Sequence, residues 1–238
     1  MGRALAMGLQ RDGWHTVLLD INITGLENTA HQTAVELDIT NHRALLSTLD
    51  TVVQTRPSID LVIYNAGVSL ISPCLDQNDT AHRSLFEINY FAATTMAQAL
   101  ISALRKSRGI HLAISSVAGF SPLYHRTAYA ASKHALQGFF TSLRTEEARF
   151  GVATCIAAPS FVATNIGNAA KTTNGIVRPG SATDGLDYMS PDEAASIILK
   201  AMNRRSAFVP VGRIARASWW INRLSPRLFS WLMMRNMH

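Results

Sequence analysis

The chain has 238 residues, 47% of them hydrophobic, enough to bury one good-sized core and to argue for one main domain. Its two cysteines, Cys74 and Cys155, exclude a disulfide framework and point to a reducing, cytoplasmic compartment; the eight histidines show no pair at ligand spacing, so no metal site is expected. The net charge of +6 does not make this a nucleic-acid binder: residues 1–193 carry 14 basic against 16 acidic side chains, and the other eight bases follow Glu193, after which no acid occurs.

In chain order, a helix is expected at residues 3–11 and a buried strand, T-V-L-L-D, at 16–20. A shorter strand follows at 34–37, a helix at 41–54 and a third strand at 61–64. One long helix is expected over 81–105, then a strand at 110–114, a helix at 128–149 and a strand at 152–157. Residues 167–189, rich in Gly, Thr, Asn and Ser, form the one long irregular stretch and are expected to act as a lid. A helix at 191–202 and a last strand at 207–211 complete the series. Strands separated by helices of this size imply parallel pairing with crossovers, hence an α/β doubly wound sheet. Residues 212–238 stand apart as a basic amphipathic tail, with Ser225-Pro226 reading as an N-cap followed by proline at the first helical position, so two short helices are expected. No apolar run approaches the roughly 18 residues of a membrane span, and no signal-peptide pattern is read before the first helix.

The residues that carry chemistry are Tyr129, Ala130, Ala131, Ser132 and Lys133, reading Y-A-A-S-K, with Ser116 thirteen positions upstream in I-S-S-V-A-G. On a helix Tyr129 and Lys133 are neighbours on one face. An ammonium beside a phenol favours the phenolate, so the tyrosine is expected to titrate below its free value of about 10. Such a tyrosine is a general acid/base, and a serine hydroxyl at the same point can hold a carbonyl or alcohol oxygen. A Tyr and a Lys four apart on a helix is also common as plain surface decoration.

The company of these residues is more specific. I-Y-N-A-G spans 63–67, I-N-Y 88–90, S-S-V-A-G 115–119 and P-S-F-V-A-T 159–164. In this order, and up to about Val211, the sequence resembles the short-chain dehydrogenase/reductase family. The resemblance implies a three-layer Rossmann-like domain over 1–211 that interconverts an alcohol and a ketone or aldehyde with NAD, NADP not being excluded. It implies Tyr129 as proton donor and acceptor, Ser116 as the group that orients the oxygen, and Lys133 as partner of the tyrosine and of the nicotinamide ribose. Asn89 is expected to distort its helix and hold a water beside Lys133; an Asn inside a helix is mildly unfavourable and asks for such a reason.

The cofactor residues follow from the same resemblance. Gly2 matches the last glycine of the pyrophosphate turn; the strand and two glycines that precede it in the family have no counterpart. The expectation is a start assigned too late, with a shortened paralogue as the alternative, and the strands at 16–20 and 61–64 are expected to have unpaired facing edges. Asp20 would accept the adenosine-ribose hydroxyls and disfavour the NADP phosphate, its plain alternative being a strand-end turn. Asp38 would meet the adenine amine, or else Asp38 or Thr40 caps the next helix. Asn65, Ala66 and Gly67 would admit the adenosine ribose, or form a tight turn. Pro159, Val162 and Thr164 would shape the loop over the nicotinamide, Thr164 bonding its carboxamide, although Ser160 replaces the usual glycine. Phe120, Leu123, Tyr124 and Phe161 are expected either to wall a pocket for a small apolar carbonyl or alcohol or to be ordinary core. A homodimer or homotetramer through the helices at 81–105 and 128–149 is implied, with no nucleic-acid partner. Two further readings stay open: a catalytically impaired binding or regulatory protein, and peripheral membrane contact through the tail.

Overall fold

The computed structural model describes residues 1–56, 58–163 and 188–235, and the backbone of residues 176–177. The order of elements is α1 (Gly2–Arg11), β1 (Thr16–Asp20), β2 (Gln32–Glu36), α2 (His42–Thr55), β3 (Leu61–Tyr64) and β4 (Ser69–Leu70). Then come α3 (Asp79–Phe86), a π-turn (Glu87–Phe91), α4 (Ala92–Ser107), β5 (Ile110–Ile114) and α5 (Thr127–Glu147). The chain continues through β6 (Ala153–Pro159), β7 (Ile176–Val177), α6 (Pro191–Asn203), β8 (Phe208–Val211), α7 (Arg213–Leu224) and α8 (Pro226–Arg235).

Four parallel strands form the main sheet in the order β3-β5-β6-β8, with Leu61 opposite Ile110 and Ile110 opposite Ala153. The alternation of a strand decides its layers. Ile110, Leu112 and Ile114 face a core built with Leu5 and Leu9 of α1 and Ile198 and Met202 of α6. Ala113 faces the opposite core, with Leu45 and Leu49 of α2, Leu100 and Leu104 of α4, and Leu136 and Phe140 of α5. Because both faces are covered, β5 is buried along its whole length, which is why its sequence reads as a nearly continuous apolar run. The result is a three-layer, Rossmann-like α/β fold.

β1 and β2 pair parallel with each other, Thr16 opposite Gln32, and form a separate two-stranded sheet. Between β1 and β3 lies a cavity of about 910 Å³, lined by Val17, Leu18 and Leu19 on one side and Leu61, Val62 and Ile63 on the other. Thus the facing edges of β1 and β3 are not hydrogen-bonded to each other, as the sequence led us to expect. At the carboxyl ends of the strands the cavity reaches Gly2, Asp20, Asn65 and Ala66.

The helix over 81–105 carries the distortion expected at Asn89: a π-turn at Glu87–Phe91 joins α3 to α4, and the buried Asn89 amide turns inward to bond the backbone of Val68. Two local expectations are corrected. Neither Asp38 nor Thr40 caps α2; Asn41 does, its side chain accepting from Ala44 N at 3.1 Å. The strand expected at 34–37 begins earlier, at Gln32. The short antiparallel pair of β4 and β7 had no signal in the sequence. The lid expectation for 167–189 falls mostly outside the described residues. The tail forms two helices as expected, and Ser225 Oγ accepts from Leu228 N at 3.2 Å to start α8.

Candidate active site

Ser116 follows the carboxyl end of β5, and its hydroxyl accepts from Ala118 N at 3.2 Å to cap the short turn Val117–Gly119. Tyr129 and Lys133 lie on the first turns of α5, where a face packed on the sheet buries both. Tyr129 is 6% exposed and Lys133 4%. The Lys133 ammonium donates to Ile114 O at 3.0 Å and stands 6.0 Å from the centre of the Tyr129 ring. Asn89, from the π-turn, accepts from Val68 N at 2.8 Å and donates to Val68 O at 2.9 Å. It also donates to Ser132 Oγ at 3.0 Å, and that hydroxyl donates to Tyr129 O at 2.8 Å. Ser116, Tyr129, Lys133 and Asn89 thus converge at one end of the sheet, the end where open α/β folds bind ligands.

The electrostatics correct one expectation. Burial pushes the Tyr129 phenol above its ordinary value, against smaller downward pulls from the Ser116 hydroxyl and the Arg126 charge. Lys133 does not reverse this, since its ammonium is turned to the Ile114 carbonyl. Burial lowers Lys133 itself to about 8. The phenol therefore stays protonated through neutral pH.

On the nucleotide side, Gly67 brings its backbone against the same group: a Cβ there would lie 3.1 Å from Asn89 Oδ1 and 3.3 Å from Lys133 Nζ. Gly2, at the start of α1, touches Asn65, where an added Cβ would meet Nδ2 at 2.8 Å. Asp20 is exposed at the end of β1, with Oδ1 accepting from Asn22 N at 3.1 Å. Asp38 is exposed and spends Oδ1 on Thr40, accepting from its N at 2.9 Å and its Oγ1 at 2.7 Å. Pro159 is buried at the end of β6, and Val162 is buried in a bridge to Met189. Thr164 lies outside the described residues. Ser160 raises no backbone conflict, for it is not among the residues with positive φ.

These groups fit a nicotinamide nucleotide. A close-approach glycine and a buried ammonium with donors to spare stand at the catalytic end, and a carboxylate stands at the strand end beside the cavity mouth. Asn65 and Ala66 line the same mouth.

The expected pocket walls divide. Leu123 packs on the cluster that holds Tyr129, as does Val68, which was not among the expected walls. Phe120 packs on other rings: it meets Trp219 and Phe208 edge-on, at 5.2 and 5.8 Å between ring centres. Tyr124 is exposed and stacked on His125, and Phe161 leans on Tyr188. Two contributors escaped the sequence reading. Ser132 links Asn89 to the backbone of Tyr129, and its position three residues after Tyr129, on the same helix face, was the available signal. Arg126 acts on the phenol through charge alone and gave none.

Residues 1–175 match the family described as short chain dehydrogenase. A curated relative, the dehydrogenase/reductase SDR family protein 7-like of Anopheles gambiae, is 30% identical over 83% of this chain; the chain spans 63% of that protein's length. Among solved structures, a short chain dehydrogenase from Burkholderia cenocepacia in complex with NADP superposes with a TM-score of 0.83 at 22% identity, covering 98% of this chain and 92% of its own. A 4-hydroxyisoleucine dehydrogenase complexed with NADH gives 0.64 at 24% identity, covering 68% and 69%. With residues 1–175 matched to the family model, the chain belongs to the short-chain dehydrogenase/reductase family.

Proposed function

We propose that this chain interconverts an alcohol and a ketone or aldehyde with a nicotinamide nucleotide, NAD in preference to NADP. The observation that carries the reading is the buried Tyr129 phenol set beside Ser116, with Lys133 behind it. A bound nicotinamide nucleotide supplies the hydride chemistry. The chain's own residues hold the proton and the geometry. Tyr129 gives its hydroxyl proton to the carbonyl oxygen in reduction and takes it back in oxidation, and Ser116 orients that oxygen. Lys133, against the backbone of Gly67, binds a ribose hydroxyl. Asp20 selects the ribose hydroxyls of NAD over a phosphate of like charge. Val68 and Leu123 beside Tyr129 favour a small apolar substrate.

A second reading, a nucleotide-binding protein without turnover, is favoured by one observation. The cavity divides Asp20 from Asn65 and leaves them on sheets that are not bonded to each other. One experiment addresses both. In an assay of carbonyl reduction with NADH, Tyr129→Phe is expected to lose about 10²- to 10⁴-fold in rate, the usual worth of acid–base catalysis, while NADH titrated by fluorescence binds as before. A variant that keeps the parent's turnover removes Tyr129 from the mechanism. NADH binding without turnover in the parent chain, across a panel of apolar carbonyls, supports the second reading.

A further inference from the structure

The two C-terminal helices have an inner and an outer side, and among the described residues the inner side carries the packing contacts with the body of the protein. In α7, Ala215 is fully buried and Trp219 stacks on Phe208 at 4.3 Å between ring centres. Trp219 also meets Phe120 edge-on, and Asn222 Nδ2 donates to Phe120 O at 2.5 Å. In α8, Phe229 is buried. These contacts fix the helix pair on the body of the protein.

The outer side is different. Arg213, Arg216, Trp220, Arg223 and Leu224 recur at helical spacing and are all exposed. Beyond the corner at Ser225, exposed Arg227, Leu228, Trp231, Met234 and Arg235 form a second such stripe. Five of the eleven large hydrophobic residues exposed among the described residues lie here, with Trp220 at 60% and Leu224 at 79%. No acid occurs after Glu193, so every formal side-chain charge on the outer side is an arginine.

We infer that this outer side docks on an anionic lipid surface, lying on the bilayer without crossing it. Tryptophan rings suit the boundary between acyl chains and headgroups, and arginines beside them meet lipid phosphates and carboxylates. A second copy of the chain is a poor occupant, because a symmetric contact would set these arginines against their own equivalents. Neither helix is long or apolar enough to span a membrane. The surface is thus suited to reversible binding governed by salt.

The test is co-sedimentation of the 238-residue protein with phosphatidylcholine vesicles, with and without phosphatidylserine. We expect binding only to the phosphatidylserine vesicles at low salt, and release at about 1 M salt, where the Debye length is near 3 Å. Each arginine near an anionic membrane contributes roughly fivefold to partitioning. Arg216→Ser with Arg223→Ser should therefore weaken binding by about 25-fold. Trp220→Ser with Trp231→Ser should weaken it as well and remove a blue shift of tryptophan fluorescence on binding. Both pairs are exposed, and an unchanged circular-dichroism melt confirms that they fold. The inference is overturned if the parent protein stays in the supernatant, or if it binds pure phosphatidylcholine equally. It also fails if the tryptophan pair binds like the parent, which would mean the arginines act alone, as on any polyanion. Self-association of lipid-free protein that disappears in the tryptophan pair would make the face a subunit interface instead.

Discussion

Acidification is expected to weaken the protein through one buried histidine. His111, in the middle of β5, is fully buried, with its Nδ1 2.7 Å from the Tyr64 hydroxyl and no partner at Nε2. Tyr64 and Phe140 pack around its ring. Burial lowers its pKa to about 4, although the buried Glu147 charge, held by Arg105, pulls the other way. In the unfolded chain the same imidazole titrates near 6.5. The folded value lies below the unfolded one, so the fold favours the neutral ring. The associated stability is fully present above about pH 6.5 and is lost as pH falls from there towards 4. Between pH 7 and pH 5 the loss comes to about 2 kcal/mol, which for a chain of this size lowers the melting midpoint by roughly 4–8 °C. Glu147, held low by Arg105, loses its own contribution only below the ordinary carboxylate range, outside this window. Calorimetry in a pH series measures the effect, and His111→Asn isolates it. The Asn amide can replace the Nδ1 contact to Tyr64 but cannot take up a proton. The variant should be less stable at pH 7, because it leaves space where the ring was, and should show little change from pH 7 to 5. Equal midpoint losses in parent and variant would refute the reasoning, since the proton uptake would then belong to the other histidines.

The active site yields three further expectations. Gly67→Ala places a methyl 3.1 Å from Asn89 Oδ1 and 3.3 Å from Lys133 Nζ. It should weaken NADH binding by roughly fivefold, the worth of about one hydrogen bond, as read by fluorescence titration, and an unchanged affinity would separate Gly67 from the nucleotide. Asp20→Ser should narrow or reverse the preference for NAD(H) over NADP(H), and a parent protein that already prefers NADP(H) contradicts the assignment. Lys133, brought down to about 8 by burial, carries its charge below that pH and loses it above. Carbonyl reduction should therefore decline above about pH 8 in the parent, and Lys133→Met should lack that inflection. A parent profile flat through this range would show that the charge is not needed.

Much of the fold was legible because its strands are short apolar runs between amphipathic helices. T-V-L-L-D at 16–20 and the strand at 61–64 have the expected bounds in the structure. What was not legible shares a cause: each case depends on which partner the tertiary structure brings to a side chain. Asp38, Thr40 and Asn41 all have side chains able to cap α2, and only the direction of chain entry selects Asn41. The distortion at Asn89 was legible, but its partner, the backbone of Val68 from another part of the chain, was not. Phe120 reads as either a pocket wall or ordinary core, and the ring of Trp219, 99 positions later, packs against it. Local pattern determines the period of an element; it does not determine which distant group will occupy a side chain.

The Tyr129–Lys133 pair makes the same point for chemistry. Spacing alone correctly places the two residues together, and the Coulomb argument then gives a lowered tyrosine. That argument holds only if the ammonium faces the phenolic oxygen and if burial costs less than the attraction returns. Here the ammonium bonds Ile114 O at 3.0 Å, and desolvation of the buried phenol is the larger effect. A raised tyrosine is the better donor reservoir at neutral pH, because nearly every molecule carries the proton that a carbonyl oxygen must receive. In the opposite direction the same burial is a handicap, for alcohol oxidation requires the phenolate. The site is therefore expected to reduce carbonyls at neutral pH more readily than it oxidises the corresponding alcohols, and to oxidise faster as pH rises. Initial rates in both directions at pH 7 and pH 9 test this. Oxidation that is already maximal at pH 7 would mean that Lys133 does reach the phenol during turnover.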